Sequence, residues 1–338
     1  MIPRRWLTLR QAWNLLRYLC SGWQPILPYR PLYLSVSSVS RCNLRCEFCH
    51  VHSPKVSPYP YQHQPCPDVT FSMFRAFLRR FPEALAVSII GSGEPTLNPD
   101  FFRMVEYAHS RNLLTITSTN GTLGPAVMER LADSRLDRLE ISLNGYDEDS
   151  FHRFTGLDGS LFPRIRRNAE RIIARKRVHH RPMDVVLTCV FDRTTYREAG
   201  HFVALADELG ADRVAIQQFL PIPPVPGFSA AERCLFAADP AVTRFFSETD
   251  WARFRVRVEL PRLITEKKRF CKSVFTTLRI DGNGQVGGCA GMLLNNAGNG
   301  SFLDQEVWNN AYFQRMRGLF LAGRFPEACC RDCVSTSG

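Results

Sequence analysis

Lysine is scarce in this chain. Only five of its 43 basic residues are lysine, the rest are arginine, and against 32 acids they leave a formal charge of +11. Arginine's planar fork suits paired recognition of carboxylate or phosphate. No aromatic-rich basic tract or nucleic-acid motif accompanies the charge, so nucleic acid is not expected as a partner. Acidic electron donors, anionic substrates or a membrane face are left. Long apolar runs are missing too. Arg10 and Arg17 interrupt the first 30 residues and no small-residue cleavage site follows, so no secretory signal is expected there. Internal repeats and low-complexity segments are absent, which excludes solenoids and arrays. The remaining composition, 45% hydrophobic and 22% charged, is that of a globular protein. At 338 residues, one large domain with a smaller one is expected.

What the first 30 residues do carry is a stripe. Trp6, Leu9, Trp13, Leu16, Cys20 and Trp23 recur at spacings of three and four, with Arg4, Arg5, Arg10 and Arg17 and no acid. That pattern predicts a basic amphipathic helix over residues 1–30. Its apolar stripe is expected to pack on the body of the protein. The alternative is that residues 1–24 lie on an anionic membrane.

Cysteine is plentiful, twelve in all, and gathers towards the two ends in C-x2-C spacings. In a long chain this reads as metal binding rather than as a disulfide framework. Near the N-terminus the run is Cys42-Asn43-Leu44-Arg45-Cys46-Glu47-Phe48-Cys49. Four cysteines saturate a [4Fe–4S] cubane, whereas three leave one iron open to a small chelating ligand. Three core cysteines or part of a zinc site would be the alternatives. At the other end stand Cys271, Cys289, Cys330 and Cys333, with Cys329 as a spare. A second cluster or a structural zinc would both suit that set.

Between these ends apolar runs alternate with helical patterns. Strands are predicted at Leu32–Ser37, Ala86–Ile90, Leu114–Ser118, Arg138–Ser142, Asp184–Val190 and Arg213–Gln218. Helices are predicted at Phe71–Phe81, Asp100–Arg111, Pro125–Asp133, Leu161–Arg177 and Thr195–Leu209. Such alternation needs crossovers and gives a parallel sheet. Six units are too few for a closed eight-stranded barrel, so the expected fold is α/β, a partial (β/α)6 TIM-like barrel over residues 31–220. Residues 221–264 read as a linker, opened by the proline run Pro221 to Gly227. Thr265 to Gly338 form a small extension: a hairpin, Thr276–Ile280 and Gln285–Cys289 around an Asp-Gly-Asn-Gly turn, a helix near Asp304–Leu321, and the last cysteines.

Chemistry in parallel barrels gathers at the carboxyl ends of the strands, and three further motifs fall there. Gly91-Ser92-Gly93-Glu94-Pro95 follows the second strand, where glycines permit close backbone approach and Glu94 can take a cationic amine. Ser118 and Asn120 end the third strand; Ser142 and Asn144 end the fourth, sharing one face by strand alternation. Polar residues at such ends also cap helices.

Together, C-N-L-R-C-E-F-C and the motif after strand two resemble the radical S-adenosylmethionine (SAM) superfamily. Ser92 stands where that family's G-G-E-P motif has its first glycine. Cys271, Cys289, Cys330 and Cys333, with the Val307–Arg317 and Gly323–Pro326 segments, resemble the truncated SPASM, or twitch-type, extension. The resemblance implies a [4Fe–4S] cluster on Cys42, Cys46 and Cys49 and SAM held by Gly91, Ser92, Gly93 and Glu94. Ser118, Asn120, Ser142 and Asn144 would meet its ribose and carboxylate, and Phe48 its adenine. A second, auxiliary [4Fe–4S] cluster would sit on the C-terminal cysteines. Seven thiolates on two such clusters would lower the net charge from +11 to about +8. The reduced cluster would split SAM to a 5′-deoxyadenosyl radical that abstracts hydrogen from substrate, with a flavodoxin or ferredoxin as electron donor. Clusters of this kind imply a reducing cytoplasm. The truncated extension resembles that of twitch dehydrogenases, so the expected substrate is a small polar molecule of the sugar or aminocyclitol kind, oxidised or epimerised. Cys189, near the end of strand five, is the candidate hydrogen-atom donor for epimerisation, and a small core residue otherwise. Cys66 and Cys234 are placed on loops, and His50, His52 and His63 on a polar lid. Maturation of a ribosomal peptide, by crosslinking or epimerisation, is the alternative, with no room expected in residues 1–30 for a leader-binding wing. A non-catalytic Fe–S or zinc protein is a remote third.

Overall fold

In the computed structural model, residues 6–49, 51–54, 66–220, 229–265, 270–289, 291, 293, 299–327, 330 and 333 are described. Pro221–Gly227, His50, His63 and Cys329 lie outside them. The six predicted strand–helix units are present. The strands are β1 (Tyr33–Ser37), β2 (Ala86–Ile90), β3 (Leu114–Thr119), β4 (Arg138–Ser142), β5 (Asp184–Phe191) and β6 (Arg213–Gln218). Helices α1 (Leu9–Cys20), α2 (Phe71–Arg80), α3 (Phe101–Ser110), α4 (Pro125–Asp133), α5 (Glu148–Thr155), α6 (Phe162–Val178) and α7 (Ala199–Leu209) precede or connect them.

Two strands enlarge the sheet beyond expectation. β7 (Arg257–Glu259), inside the supposed linker, pairs parallel with β6, and Pro240–Glu248 in the same region is helical. β8 (Thr277–Ile280) opens the predicted hairpin with β9 (Val286–Gly287), yet also pairs parallel with β1. The order is therefore β7-β6-β5-β4-β3-β2-β1-β8-β9, one continuous sheet with two edges. The C-terminal segment completes the sheet rather than standing apart from it.

The face of the sheet that meets the helices is mainly apolar: Leu34 and Val36, Val87 and Ile89, Leu139 and Ile141, Leu187 and Phe191 are all fully buried, while β3 turns Thr115, Thr117 and Thr119 to that side. The other face is polar. Ser88 Oγ donates to Ser35 Oγ at 2.9 Å across β1 and β2. Arg138 bridges Glu140 at 2.9 Å and Glu259 at 3.2 Å, and Arg213 bridges Asp184 at 2.7 Å and Glu259 at 3.2 Å. These ion pairs tie β4, β5, β6 and β7 together across the concavity. Pairing of this kind offsets part of the desolvation cost that each half-buried charge carries.

The N-terminal helix forms, but its orientation reverses the expectation. Its buried residues are polar, Gln11 and Asn14. Gln11 Nε2 donates to Ala84 O at 2.8 Å and Asn112 O at 3.2 Å, and Asn14 Nδ2 to Arg30 O at 3.1 Å. Main-chain carbonyls at the amino ends of β2 and β3 take the helix's polar side, and Trp13, Leu16 and Leu19 stay exposed. The segment around Pro25 is tied to the C-terminal extension by Arg317, on the helix Ala311–Leu321, which is fully buried. It donates to Val274 O, Pro25 O, Asn309 Oδ1 and Trp308 O at 2.7–3.0 Å.

Candidate active site at the carboxyl ends of the strands

The chain leaves β1 into the cysteine loop, and neighbouring strand ends hold that loop by its backbone. Ser38 N donates to Ile90 O, and Asn98 Nδ2 donates to both Ser38 O at 2.7 Å and Val69 O at 3.0 Å. Gly93 N reaches Val39 O at 3.3 Å and Glu94 N reaches Arg41 O at 2.9 Å. A Cβ on Gly93 would fall 1.8 Å from Arg41 O, and one on Gly91 would fall 2.6 Å from Val39 O. These glycines thus let the second motif lie directly on the stem of the cysteine loop. Further along, Glu47 N donates to Thr155 O at 2.8 Å, and Gly156 (φ +69°) leaves room for the Glu47 side chain.

Cys42, Cys46 and Cys49 come close enough for their charges to repel. Burial, with that repulsion, pushes the Cys46 thiol up to about 12, and burial raises Cys42 as well. Against this, amide donors are aimed at sulfur. Leu44 N lies 3.4 Å from Cys42 Sγ, His52 N lies 3.3 Å from Cys49 Sγ, and Asn120 Nδ2 lies 3.9 Å from Cys42 Sγ. Such donors stabilise thiolate and tune bound iron. A donor set of this type fits an iron–sulfur cluster: sulfur-only, mutually repelling without a cation, and already receiving hydrogen bonds. Among the described residues, no group of three or more His, Cys, Asp or Glu side chains is drawn together as for one metal ion.

Glu94 is the centre of the second motif and is 2% exposed. Burial raises its pKa, opposed by hydrogen bonds from Asn120 N at 2.7 Å, Thr119 Oγ1 at 2.9 Å and Thr96 Oγ1 at 2.6 Å. Asn120 in turn donates to Asn43 Oδ1 at 2.8 Å, and Asn43 to Thr122 Oγ1 at 2.7 Å. One network therefore joins Glu94, the end of β3 and the cysteine loop. Thr96, Thr119, Thr122 and Asn43 were not singled out from the sequence. A strand end reading Ser-Thr-Asn-Gly-Thr beside a buried acid was the available signal.

Other expected residues are placed variously. Ser118 and Ser142 stand at strand ends on the polar face, and Ser92 Oγ lies 3.4 Å from Ser37 Oγ. Asn144 lies beyond β4 with φ +49°, so alternation with Ser142 does not reach it. Its Oδ1 accepts from Val190 N at 3.2 Å, a bond that holds the end of β5. Phe48 lines a cavity of about 80 Å³ with Phe154, Val190, Asp192, Phe219 and Arg233. Cys189 is fully buried and, two residues from Phe191, is turned towards the helices. Phe191 packs on Phe202 of α7, which fixes that side of the strand. Because Cys189 does not face the barrel interior, its role as hydrogen-atom donor is withdrawn. His52 is half-buried, and burial lowers its pKa, so it forms part of the wall and not an exposed lid.

At the far side of the sheet, Cys271 and Cys330 are each 5% exposed. Cys271 is raised by burial and by the nearby Cys333, while the amides of Ser273 and Val274 favour its thiolate. Cys289 follows β9 and is near enough to Arg279 on β8 to stabilise that buried guanidinium. Cys66 lies against the hairpin turn, where Asn283 Nδ2 is 3.6 Å from its sulfur.

A thiolate loop at the carboxyl end of an open parallel barrel, laid on a glycine motif with a buried acid, defines a radical SAM enzyme. The Radical SAM superfamily sequence profile matches residues 36–204, half of the chain, which belongs to that superfamily. Its cofactors are accordingly a [4Fe–4S] cluster and SAM. Among curated proteins, the mycofactocin maturase MftC of Mycobacterium ulcerans is 31% identical over 182 residues, 54% of this chain and 46% of that protein. The PqqA peptide cyclase of Gluconobacter oxydans is 26% identical over 192 residues, 56% of this chain and 50% of that one. The chain thus spans about half the length of these relatives. Among solved structures, Streptococcus suis SuiB bound to its precursor peptide SuiA superposes with a TM-score of 0.69 at 17% identity, over 92% of this chain and 71% of that one. The shared fold is that of the expected partial barrel with its extension. No helix among the described residues is long and apolar enough to cross a membrane.

Proposed function

We propose that this chain is a peptide-modifying radical SAM enzyme, acting on a residue of a ribosomally made peptide. The observation that carries this reading is the similarity to MftC and to the PqqA peptide cyclase, named for a maturation step and a peptide cyclisation. It displaces the sugar or aminocyclitol substrate expected from the short C-terminal extension. When bound, the cluster and SAM supply a hydrogen-abstracting 5′-deoxyadenosyl radical; the protein positions them and excludes side reactions.

The chain's own residues have separable tasks. Cys42, Cys46 and Cys49 would hold the cluster, steadied by the amides of Leu44 and His52 and by Asn120. Gly91 and Gly93 keep the second motif on the loop, and Glu94 holds a negative charge beside it for an ammonium group. Ser118 and Ser142 offer hydroxyls on the polar face, and Phe48 offers an aromatic wall. Cys271, Cys289, Cys330 and Cys333 would hold an auxiliary cluster, an electron acceptor that lets hydrogen abstraction end in oxidation. A flavodoxin or ferredoxin would deliver the starting electron.

The test is anaerobic turnover with SAM and dithionite, using peptides that co-purify with the chain from its native host. A crosslink removes two hydrogen atoms from the peptide, and an epimerisation in D2O adds one deuterium. Either change, with 5′-deoxyadenosine formed in step, is expected. Deoxyadenosine formation driven by sugars or aminocyclitols, and not by any peptide, would return the substrate to the small-molecule class.

A further inference from the structure

We propose that residues 6–26 form a docking face for an anionic phospholipid surface. Of the eleven exposed large apolar side chains among the described residues, seven fall in this short segment: Trp6, Leu9, Trp13, Leu16, Leu19, Trp23 and Ile26. Trp6 and Leu9 are 96% and 90% exposed. The opposite side of α1 is fixed to the protein through Gln11, Asn14 and Arg30, so the stripe cannot turn inwards without breaking those bonds. Exposure is therefore built into the fold.

The occupant is indicated by charge and side-chain type. Arg10 is exposed, and Arg17 stands 5.7 Å over the Trp13 ring. Residues 6–26 hold these two arginines and no acid, and no acid occurs in sequence before Glu47. An apolar stripe with tryptophans, edged by cations and free of acids, is the composition of a helix lying in the headgroup layer of an anionic bilayer. A protein groove or a second copy could accept the apolar side chains, but neither calls for so long an acid-free stretch. The helix packs at the amino ends of β2 and β3, while the cysteine loop leaves the carboxyl end of β1. Docking by this face would leave the candidate active site open on the other side.

The test is co-flotation of the full reconstituted chain with vesicles of phosphatidylcholine alone or with about one-third phosphatidylglycerol. Binding is expected to the anionic vesicles, weakened by salt. Leu9→Glu with Trp13→Glu should abolish it, and Arg10→Gln should weaken it roughly fivefold. All three positions are exposed, so thermal unfolding and SAM cleavage without vesicles should match the parent chain and show an intact fold. Absence of flotation, or flotation indifferent to Leu9→Glu with Trp13→Glu, would overturn the proposal. So would concentration-dependent dimerisation lost in the same variant without vesicle binding, which would assign the face to a second copy.

Discussion

Gly93→Ala should disable the site while leaving all three cysteines of the loop in place. The added Cβ would fall 1.8 Å from Arg41 O, 2.2 Å from Arg41 C and 2.9 Å from Cys42 N. Carbon contacts are comfortable only near about 3.5 Å, so the two backbones must separate by roughly 1.5 Å. Neither partner is a flexible side-chain end that could swing away. Separation breaks the bonds from Gly93 N to Val39 O and from Glu94 N to Arg41 O, worth about 1 kcal/mol each. It also strains the bonds that Asn120 and Thr119 make to Glu94. A loss of about 3 kcal/mol in stability is expected. The loop itself moves, and a misplacement on the order of 1 Å can cost roughly a hundredfold in rate. The assays are iron content after anaerobic reconstitution, SAM cleavage with dithionite, and thermal unfolding. Gly200→Ala is the control: it lies in α7 with no atom within 4 Å of the added Cβ, and should stabilise by about 0.5 kcal/mol. Parental iron content and SAM cleavage in Gly93→Ala would refute the reasoning.

Three other outcomes follow from the same structure. Replacing Cys42, Cys46 and Cys49 together by Ala should lower iron from about eight to about four per chain, the remainder sitting on the C-terminal cysteines; a fall from about four to none would remove the auxiliary cluster. Arg317→Met should cost roughly 3 kcal/mol in denaturant unfolding, because Val274 O, Pro25 O, Trp308 O and Asn309 Oδ1 lose a charged donor. Glu94 has a raised pKa in the folded chain, so its contribution to stability is greatest below the ordinary carboxylate pKa and is lost as pH rises through the folded value. The stability of the apo chain relative to Glu94→Gln should therefore decline as pH rises from acid towards neutral; a constant difference would show that Glu94 carries no such shift.

Much of this protein was legible in one dimension because the informative signals are local. Three cysteines within eight residues, a Gly-x-Gly-Glu run after a strand, and the strand–helix alternation each depend on neighbours in the chain. β2, β4 and β6 begin and end where the apolar runs do. Other features required the third dimension. β5, Asp184–Phe191, carries valines on both faces, Val186 and Val190 beside Asp184 and Thr188 on one and Val185 beside Leu187 on the other; its pattern could not tell which way Cys189 points, and packing of Phe191 on Phe202 decided it. The hairpin turn marked β8, but no local signal says that a strand near residue 280 will lie beside one near residue 35. The β7 segment is three residues long and carries two charges, a weak strand signal that pairing with β6 and the Arg213–Glu259 bridge made good. For α1, the periodicity established an amphipathic helix but not its orientation. Two amide side chains found main-chain carbonyls at the amino ends of β2 and β3, and those bonds set the polar side inwards. Residue order thus determined the chemistry the chain can hold, since ligand type and spacing are properties of a short segment. Tertiary structure decided which groups face that chemistry and which surface is left uncovered, since both depend on contacts between residues far apart in sequence.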